Sequence, residues 1–273
     1  MLHSSTRALL TIALAALSFV APLTLTVPAH ADPHDECTVN GVAPDPSATA
    51  LSGGPGDDVI VCSGELEFPI SGGDGNDTIT IQGNAVRDGI SGGPGDDTIT
   101  VTGDVGGPGQ AGGIAGNAGN DTITTGNVES DNIKGGQGND HITTGDVTNI
   151  DYSRQSRVLG GEGDDTITTG DVNGTLVSLS RKVLAAVAGE EGNDIIHTGA
   201  IRQGRVAGNK GADVIEAGAL SEGNIYGGPG NDRISGAGNT VLSVGRSSVV
   251  DGGDGTDTCN AQATAGGQIL NCP

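Results

Sequence analysis

An aspartate recurs ten times at the same place in a glycine-rich motif, and these are the residues whose type and spacing could do chemistry. The motif has glycine at its first and fourth positions and aspartate at its sixth, and its eighth residue is isoleucine in nine of the ten copies. The ten aspartates are Asp58, Asp77, Asp97, Asp121, Asp140, Asp165, Asp194, Asp213, Asp232 and Asp257. In a glycine-containing turn a carboxylate can bond to backbone amides. Ten carboxylates brought close together would also repel one another unless something compensates their charge.

The apolar residues between the copies predict the elements that position these carboxylates. The copies begin 19 to 29 residues apart, and an aliphatic residue stands two positions before each of them. A third apolar residue often lies between the motif isoleucine and that aliphatic residue, as Val128 does between Ile123 and Ile133. Each unit therefore points about three aliphatic side chains inward, but it cannot bury its own apolar edge, so the units must stack. The pattern predicts an all-β fold, a parallel β-solenoid with about ten coils of 19 or more residues.

The irregular spacing predicts loops on one side of this solenoid. The longer steps leave the motif intact and place their extra residues in the opposite half of the coil. The longest insertion, "NGTLVSLSRKVLAA" at 173–186, is interpreted as a lateral loop or a short helix.

The composition alone would indicate a disordered chain. The 273 residues include 50 glycines and 1% aromatic residues, and the formal net charge is −22. Few large apolar side chains and a high net charge are typical of disorder. A repeat with four nearly constant positions in ten copies argues against that interpretation, since each copy repeats the same layer.

The motif resembles the repeats-in-toxin (RTX) nonapeptide, GGxGxDxUx, in which U is a large aliphatic residue. The resemblance covers Leu51 to about Asn260, and it implies a right-handed β-roll with calcium bound between the loops of successive coils. Calcium takes six to eight oxygen ligands at about 2.3–2.6 Å, so one loop cannot supply them all. The resemblance implies that the ten aspartates are side-chain metal ligands. It also implies that Ca²⁺ is the cofactor, with several ions and up to one per gap between successive loops.

Two successive loops depart from the motif, and in the copy that begins at Gly189, Glu190 replaces the second glycine. In the copy that begins at Gly208, Asn209 replaces the second glycine, Lys210 adds a positive charge and Ala212 removes a possible oxygen at the fifth position. Because a lysine repels a divalent cation, we expect the gaps beside Asp213 to bind calcium most weakly.

The first 31 residues have the features of a secretory signal peptide. Arg7 precedes a long apolar run, and "AHA" ends the segment with small residues around a cleavage site before Asp32. The run is about long enough to be a membrane anchor, but its prolines and the cleavage site argue against one, so we expect no membrane span after cleavage. The expected organisation is a signal peptide at 1–31, an N-terminal cap at 32–50, calcium-binding solenoid repeats at 51–260 and a C-terminal cap at 261–273.

The four cysteines suit an exported protein and predict two disulfides. They allow three pairings, but ten layers at about 4.8 Å separate the ends of the solenoid by roughly 45 Å. A disulfide needs Cα atoms within about 7 Å. Only Cys37–Cys62 and Cys259–Cys272 are then feasible, and they would fasten the two ends.

The sequence favours a non-enzymatic protein. It contains neither HExxH nor GxSxG, and His141 and His197 flank motif isoleucines, where solvated strand faces explain them. The acidic surface argues against nucleic acid as a partner. We therefore predict a secreted, extracellular calcium-binding protein with a structural or adhesive role and with cell-surface or matrix components as partners. The alternative is a polysaccharide-active solenoid enzyme, such as a lyase or an epimerase, because this type of fold can carry an acidic calcium cleft.

Overall fold

The structure is a computed structural model that describes residues 37–45, 47–64, 66, 68–85, 89–107, 112–149, 155–178, 181–183, 185–264 and 266–273. These residues belong to one compact unit, Ala31–Pro273. Their regular structure is β-strand, apart from a short 3₁₀ turn at Ala237–Asn239. The predicted all-β class is thereby confirmed. The predicted signal peptide lies outside the described residues.

The strands that lead into the glycine loops form an eleven-stranded parallel sheet, here called sheet 1. Equivalent residues of successive repeats are in register, so that Ile133 is paired with Ile114 on one side and Val158 on the other. The strands of sheet 1 are Leu51–Pro55, Ile70–Asp74, Ile90–Pro94, Gly113–Ala118, Asn132–Gln137, Arg157–Glu162, Ala186–Glu191, Arg205–Lys210, Asn224–Pro229, Val249–Asp254 and Gln268–Leu270.

The strands that leave the loops form the main ladder of a second sheet, sheet 2, which has 18 strands. Ten of them are parallel and in register: Val59–Ser63, Thr78–Gln82, Thr98–Val101, Thr122–Thr124, His141–Thr143, Thr166–Thr168, Ile195–Thr198, Val214–Ala217, Arg233–Gly236 and Thr258–Ala263. Seven more strands of sheet 2 form a short ladder further along each coil: Val105–Gly106, Val128–Glu129, Val147–Thr148, Val172–Asn173, Ile201–Arg202, Leu220–Ser221 and Leu242–Val244. The eighteenth strand, Cys37–Val39, lies at the N-terminal end. A coil therefore runs from sheet 1 through the glycine loop to the main ladder and then to the short ladder, which is the predicted parallel β-solenoid, or β-roll.

Three columns of aliphatic side chains fill the inside of the coils. Ile123, Val128 and Ile133, one from each ladder of a single coil, are all 0% exposed. Parallel in-register pairing places each of them directly between its counterparts in the neighbouring coils. The core is thus one continuous stack, and every inner layer is covered by the layers on either side, as the apolar spacing predicts.

Both predicted disulfides are present, and each fastens one end of the stack. At the N-terminal end, strand Cys37–Val39 pairs antiparallel with Val59–Ser63, and Cys37 is bonded to its direct partner Cys62. At the C-terminal end, Cys259 in the last motif is bonded to Cys272. The terminal strands of a sheet otherwise expose unpaired backbone groups, so these links hold the chain where it has the fewest neighbours.

Of the two predictions for the longest insertion, a lateral loop or a short helix, the short helix is wrong. The insertion contains an antiparallel hairpin of Thr175–Ser178 and Arg181–Val183. Thr175, Val177 and Val183 are β-branched, and β-branched residues are enriched in strands. The two strands of the hairpin pair with each other, so their backbone groups need no partners in the ladders of the coil.

Along the main ladder, side chains point alternately into the core and to solvent, and two adjacent isoleucines can test this assignment. Ile196 is 0% exposed and Ile195 is 41% exposed. We expect Ile196→Ala to lower the stability of the calcium-loaded protein by about 2–5 kcal/mol, because it leaves a cavity in the stack. The same change at Ile195 should cost within about 0.5 kcal/mol. Denaturant unfolding of both variants at one calcium concentration measures the difference, and similar losses would mean that the inward face is misassigned.

Candidate functional site

The ten aspartates of the motif lie in one continuous column. From Asp77 to Asp257, Oδ1 of each aspartate accepts a hydrogen bond from the backbone N–H of the aspartate one coil earlier, at 2.8–2.9 Å. Among the described residues no coil precedes that of Asp58, and its Oδ1 accepts from Nδ2 of Asn40 at 2.5 Å. All ten side chains are buried, with between 0% and 7% of each residue exposed. The structure therefore brings together every residue that the sequence singles out as a metal ligand.

The second carboxylate oxygen, Oδ2, has no hydrogen-bond partner in most of these aspartates. In nine of these aspartates, Asp58 through Asp232, Oδ2 is buried and has no hydrogen-bond partner. Burying a polar atom without a partner is costly, and for an ionised carboxylate the cost is higher still. The backbone bond explains one oxygen of each carboxylate as a turn acceptor, but the second oxygen requires another partner.

The first glycine of each motif makes room for that second oxygen. A Cβ atom added to Gly135 would lie 2.1 Å from Oδ2 of Asp140 and 2.7 Å from the carbonyl oxygen of Gly160 in the next coil. At Gly72 the corresponding atoms are Oδ2 of Asp77 at 2.1 Å and the carbonyl oxygen of Gly92 at 2.6 Å. Oxygens from two successive loops thus border the same small space, and any residue larger than glycine would fill it.

Burial makes the column a poor place for negative charge. Loss of hydration raises the pKa of Asp165 to about 7, although the backbone hydrogen bond from Asp140 lowers it and the neighbouring carboxylates raise it further. Loss of hydration likewise raises the pKa of six other members to about 6: Asp97, Asp121, Asp140, Asp194, Asp213 and Asp232. The ion pairs found among the described residues lie elsewhere, at His197–Glu216, Arg202–Asp171 and Lys210–Glu191. The charge of the column has to be compensated from outside the chain.

The donor set of the column fits calcium. In the part of the chain that the structure describes, no three Asp, Glu, His or Cys side chains come close enough to hold a metal ion together. The space at Gly135 is bordered by a carboxylate oxygen of one loop, Oδ2 of Asp140, and by a backbone carbonyl oxygen of the next loop, that of Gly160. Calcium accepts such mixtures of carboxylate and carbonyl oxygens, whereas zinc sites are usually built from cysteine and histidine.

Two further columns of side chains accompany the buried one. At the fifth motif position, Oδ1 of Asp57 accepts from Asn76 N–H, and similar bonds join most later coils. Ala212 interrupts this exposed column, because it receives a bond from Asn193 but has no side-chain oxygen for the next coil. The column is therefore broken at Ala212, and weaker calcium binding beside Asp213 stays a prediction.

The second additional column lies at the turn between the two ladders of sheet 2, and sequence reasoning missed it. Oδ1 of Asn84, Asp104, Asn127, Asp146 and Asp171 each accepts the backbone N–H of the equivalent residue one coil later. A recurring Gly-Asx pair, as in "TGD" and "TGN", is the signal that could have revealed it. These side chains are exposed or half-buried, so the column acts as a set of turn acceptors.

Lys210 does not point its charge at the buried column. Its Nζ forms an ion pair with Glu191 of the preceding coil, and the two side chains are 67% and 58% exposed. This ion pair reduces the repulsion expected between Lys210 and a cation beside Asp213. The main difference between this loop and the other loops is then the missing side-chain oxygen at Ala212.

Taken together, the fold and the site define a parallel β-solenoid whose stacked glycine loops hold a buried column of carboxylates. Seven segments match the family model of the RTX calcium-binding nonapeptide repeat, at residues 70–81, 80–104, 114–127, 125–146, 156–176, 187–200 and 224–240. The chain is an RTX-like, hemolysin-type calcium-binding repeat protein. The loops that begin at Gly53, Gly208 and Gly252 lie outside the matched segments. Searches of curated proteins and of solved structures gave no significant match.

The raised pKa values make the folding of the metal-free chain depend on pH. The folded pKa of Asp165 is about 7 and that of Asp140 about 6, above the ordinary value of 3.8, so the folded state binds more protons than the unfolded state in this range. The contribution of these groups to stability is then present below about pH 4 and is lost as the pH rises through 6 to 7. We expect circular dichroism of metal-stripped protein to show more β-structure at pH 5 than at pH 7.5, where the chain without calcium is largely disordered. A β-signal that grows as the pH rises from 5 to 7.5 would contradict this assignment.

Proposed function

We propose that this protein is secreted and acts outside the cell as a calcium-stabilised scaffold with a structural or adhesive role. The observation that carries the proposal is the column of buried carboxylate oxygens without partners inside RTX calcium-binding repeats. Residues 1–31 would be the signal peptide. Two disulfides suit an oxidising compartment outside the cytosol. The described residues include no helix long and apolar enough to cross a membrane.

We place the calcium ions between successive loops, with up to nine ions for the nine gaps. Each ion would take carboxylate oxygens from the aspartates of two adjacent loops and carbonyl oxygens from their glycines. Without residues 1–31 the chain carries 11 Lys and Arg against 34 Asp and Glu. Nine divalent ions would reduce this net charge from −23 to −5 and remove most of the repulsion that opposes stacking.

A second candidate, a polysaccharide-active enzyme, has one observation in its favour. A groove of about 720 Å³ on sheet 1 is lined by Glu162, Glu190 and Glu191 together with Lys134 and Lys210. Paired acids and a base in one groove could serve acid–base catalysis. We rank this function second because the Lys210–Glu191 pair is largely exposed to solvent, whereas a catalytic pair must be held in place by its surroundings. Turnover of a polysaccharide by the purified protein would reverse the ranking.

Calcium titration tests the proposed scaffold directly. We expect the chain in chelator to be largely disordered and to gain β-structure cooperatively in millimolar calcium, because ion binding and stacking are linked. Circular dichroism of metal-free protein follows the transition, with magnesium as the control cation. An unchanged β-spectrum with and without chelator would contradict a calcium-stabilised scaffold.

The ligand role of a single aspartate can be separated from its role in the turn. Asp140→Asn keeps an oxygen that accepts the Asp121 N–H, but it removes the negative charge of the leftover oxygen. We expect the calcium stoichiometry to fall by one or two ions, because each loop borders two gaps, with a higher calcium midpoint for folding.

The matched control is Asp146→Asn in the same coil, at the turn between the ladders of sheet 2. It makes the same change of charge and also keeps a turn acceptor. Isothermal titration calorimetry should give the same calcium stoichiometry for this control as for the wild type. Equal stoichiometry in both variants would make Asp140 a turn residue and no ligand.

A further inference from the structure

We propose that the outer face of sheet 1 binds a linear polysaccharide that carries carboxylate groups. The proposal goes beyond calcium binding, because it concerns side chains that point away from the core and lie before the glycine loops. This surface, called the basic face below, consists of the residues one and three positions before the first glycine of each loop, from strand Leu51–Pro55 to strand Asn224–Pro229.

The basic face has a charge opposite to that of the chain as a whole. The full sequence has 34 Asp and Glu against 12 Lys and Arg. Across the nine strands of the basic face, the two outward positions contain no Asp or Glu, and they contain Lys134, Arg157 and Arg205. At these positions the acidic chain has three cations and no acid. Acids border the basic face: Asp251 is paired with Tyr226 on the next strand, and Glu162 lines a groove together with Lys134.

These three cations are exposed and are not neutralised by the protein. Lys134, Arg157 and Arg205 are all exposed, and none of them takes part in the ion pairs found among the described residues. The Arg157 guanidinium donates to the side-chain oxygen of Gln155. Arg205 lies over the ring of Tyr226 at 4.9 Å from its centroid. Neutral neighbours therefore orient the two arginines and leave their charge available for an anion.

The basic face is also shaped as a trough. A groove of about 560 Å³ includes Lys134 in its lining and has Ser52, Ser71 and Ser91 among its small residues. A neighbouring groove of about 260 Å³ contains Arg157, and the two share Asn132. No carboxylate lines either groove. Serine hydroxyls can exchange hydrogen bonds with the hydroxyls of a sugar, and small side chains leave room for its rings.

The spacing of these groups suits a polymer that runs along the solenoid. Arg157 and Arg205 are two strands apart, since Ala186 pairs with both, which is about 10 Å at the usual strand spacing. Lys134 is on the strand next to that of Arg157. The two grooves extend from the strand of Leu51 to the strand of Arg157, which are five spacings apart, or about 24 Å. Arg205 lies two strands beyond this trough. A trough of about 24 Å exceeds a small ligand and matches several sugar units in an extended chain.

The chemistry of the face favours carboxylated sugars over nucleic acid. Tyr226 is the one aromatic residue of the two outward columns, and its ring is already covered by Arg205, so bases would find no stacking surface. The acidic remainder of the molecule repels a dense row of phosphates. Arginine binds carboxylates through two parallel hydrogen bonds, and three cations spread over four coils suit a polymer with widely spaced charges.

The test compares two variants with the same loss of charge. Arg157→Gln with Arg205→Gln removes two cations of the basic face, whereas Arg233→Gln with Arg246→Gln removes two exposed cations elsewhere. Calorimetry in millimolar calcium uses a hyaluronan decasaccharide as the probe and a dextran oligosaccharide as the neutral comparison. We expect the wild type to bind hyaluronan and not dextran, and the first variant to bind about tenfold more weakly. The second variant should stay within about twofold of the wild type.

Several outcomes would overturn the proposal. Equal weakening in both variants would mean that net charge alone is responsible, and equal binding of dextran would remove the need for carboxylates. Tighter binding of a single-stranded oligonucleotide than of hyaluronan would assign the face to nucleic acid. Circular dichroism of each variant in the same buffer establishes that it is folded. A wild type that fails to fold in calcium would count against the proposed scaffold and not against the basic face.

Discussion

The hydrogen bond from each motif aspartate to the backbone of the preceding coil is the interaction on which the rest of the structure depends. It joins a buried side chain of one repeat to the main chain of another, at the same place in every coil. A one-residue slip would separate Oδ1 from its donor and turn the aliphatic side chains outward. The close approach of the carboxylate also explains the first glycine, because a Cβ on Gly135 would overlap Oδ2 of Asp140. Register, the core and the glycine pattern therefore have one common cause.

In two neighbouring columns, the hydrogen bonds between side chain and backbone run in opposite directions along the stack. In the buried column the side chain belongs to the later coil and the donor to the earlier one, as between Asp140 and Asp121. In the exposed column at the fifth motif position, the side chain belongs to the earlier coil, as between Asp57 and Asn76. Two adjacent residues of one loop thus bind the coils on opposite sides. A loop is held from both directions, and ions in the gaps would join a framework that is already aligned.

The sequence was sufficient to predict the stack, because its layers repeat and their periodicity is visible without coordinates. The aliphatic positions such as Val128, the column of aspartates and both disulfides follow from spacing and from the distance between the ends. The residues at the ends of the stack and those that depart from the motif were harder to predict, because each occurs once and shows no periodicity. Nothing in the sequence around Asn40 distinguishes it from a loop residue, and only its position opposite Asp58 shows its role. The charge of Lys210 was read correctly, but its direction depends on a partner, Glu191, one coil away.

Asn40 also caps the first layer of the stack. A stack of identical layers has no internal reason to stop, because each layer presents to the next the same groups that it received from the last. Asn40 occupies both atoms of the first layer that a further copy would use, donating to Asp58 and accepting from Val59. At the other end the carbonyl oxygen of Asn271 lies beside Gly252, where an eleventh loop would place its own. At both ends, groups of the chain itself thus occupy positions where a further layer would bond, which blocks the addition of a second molecule there.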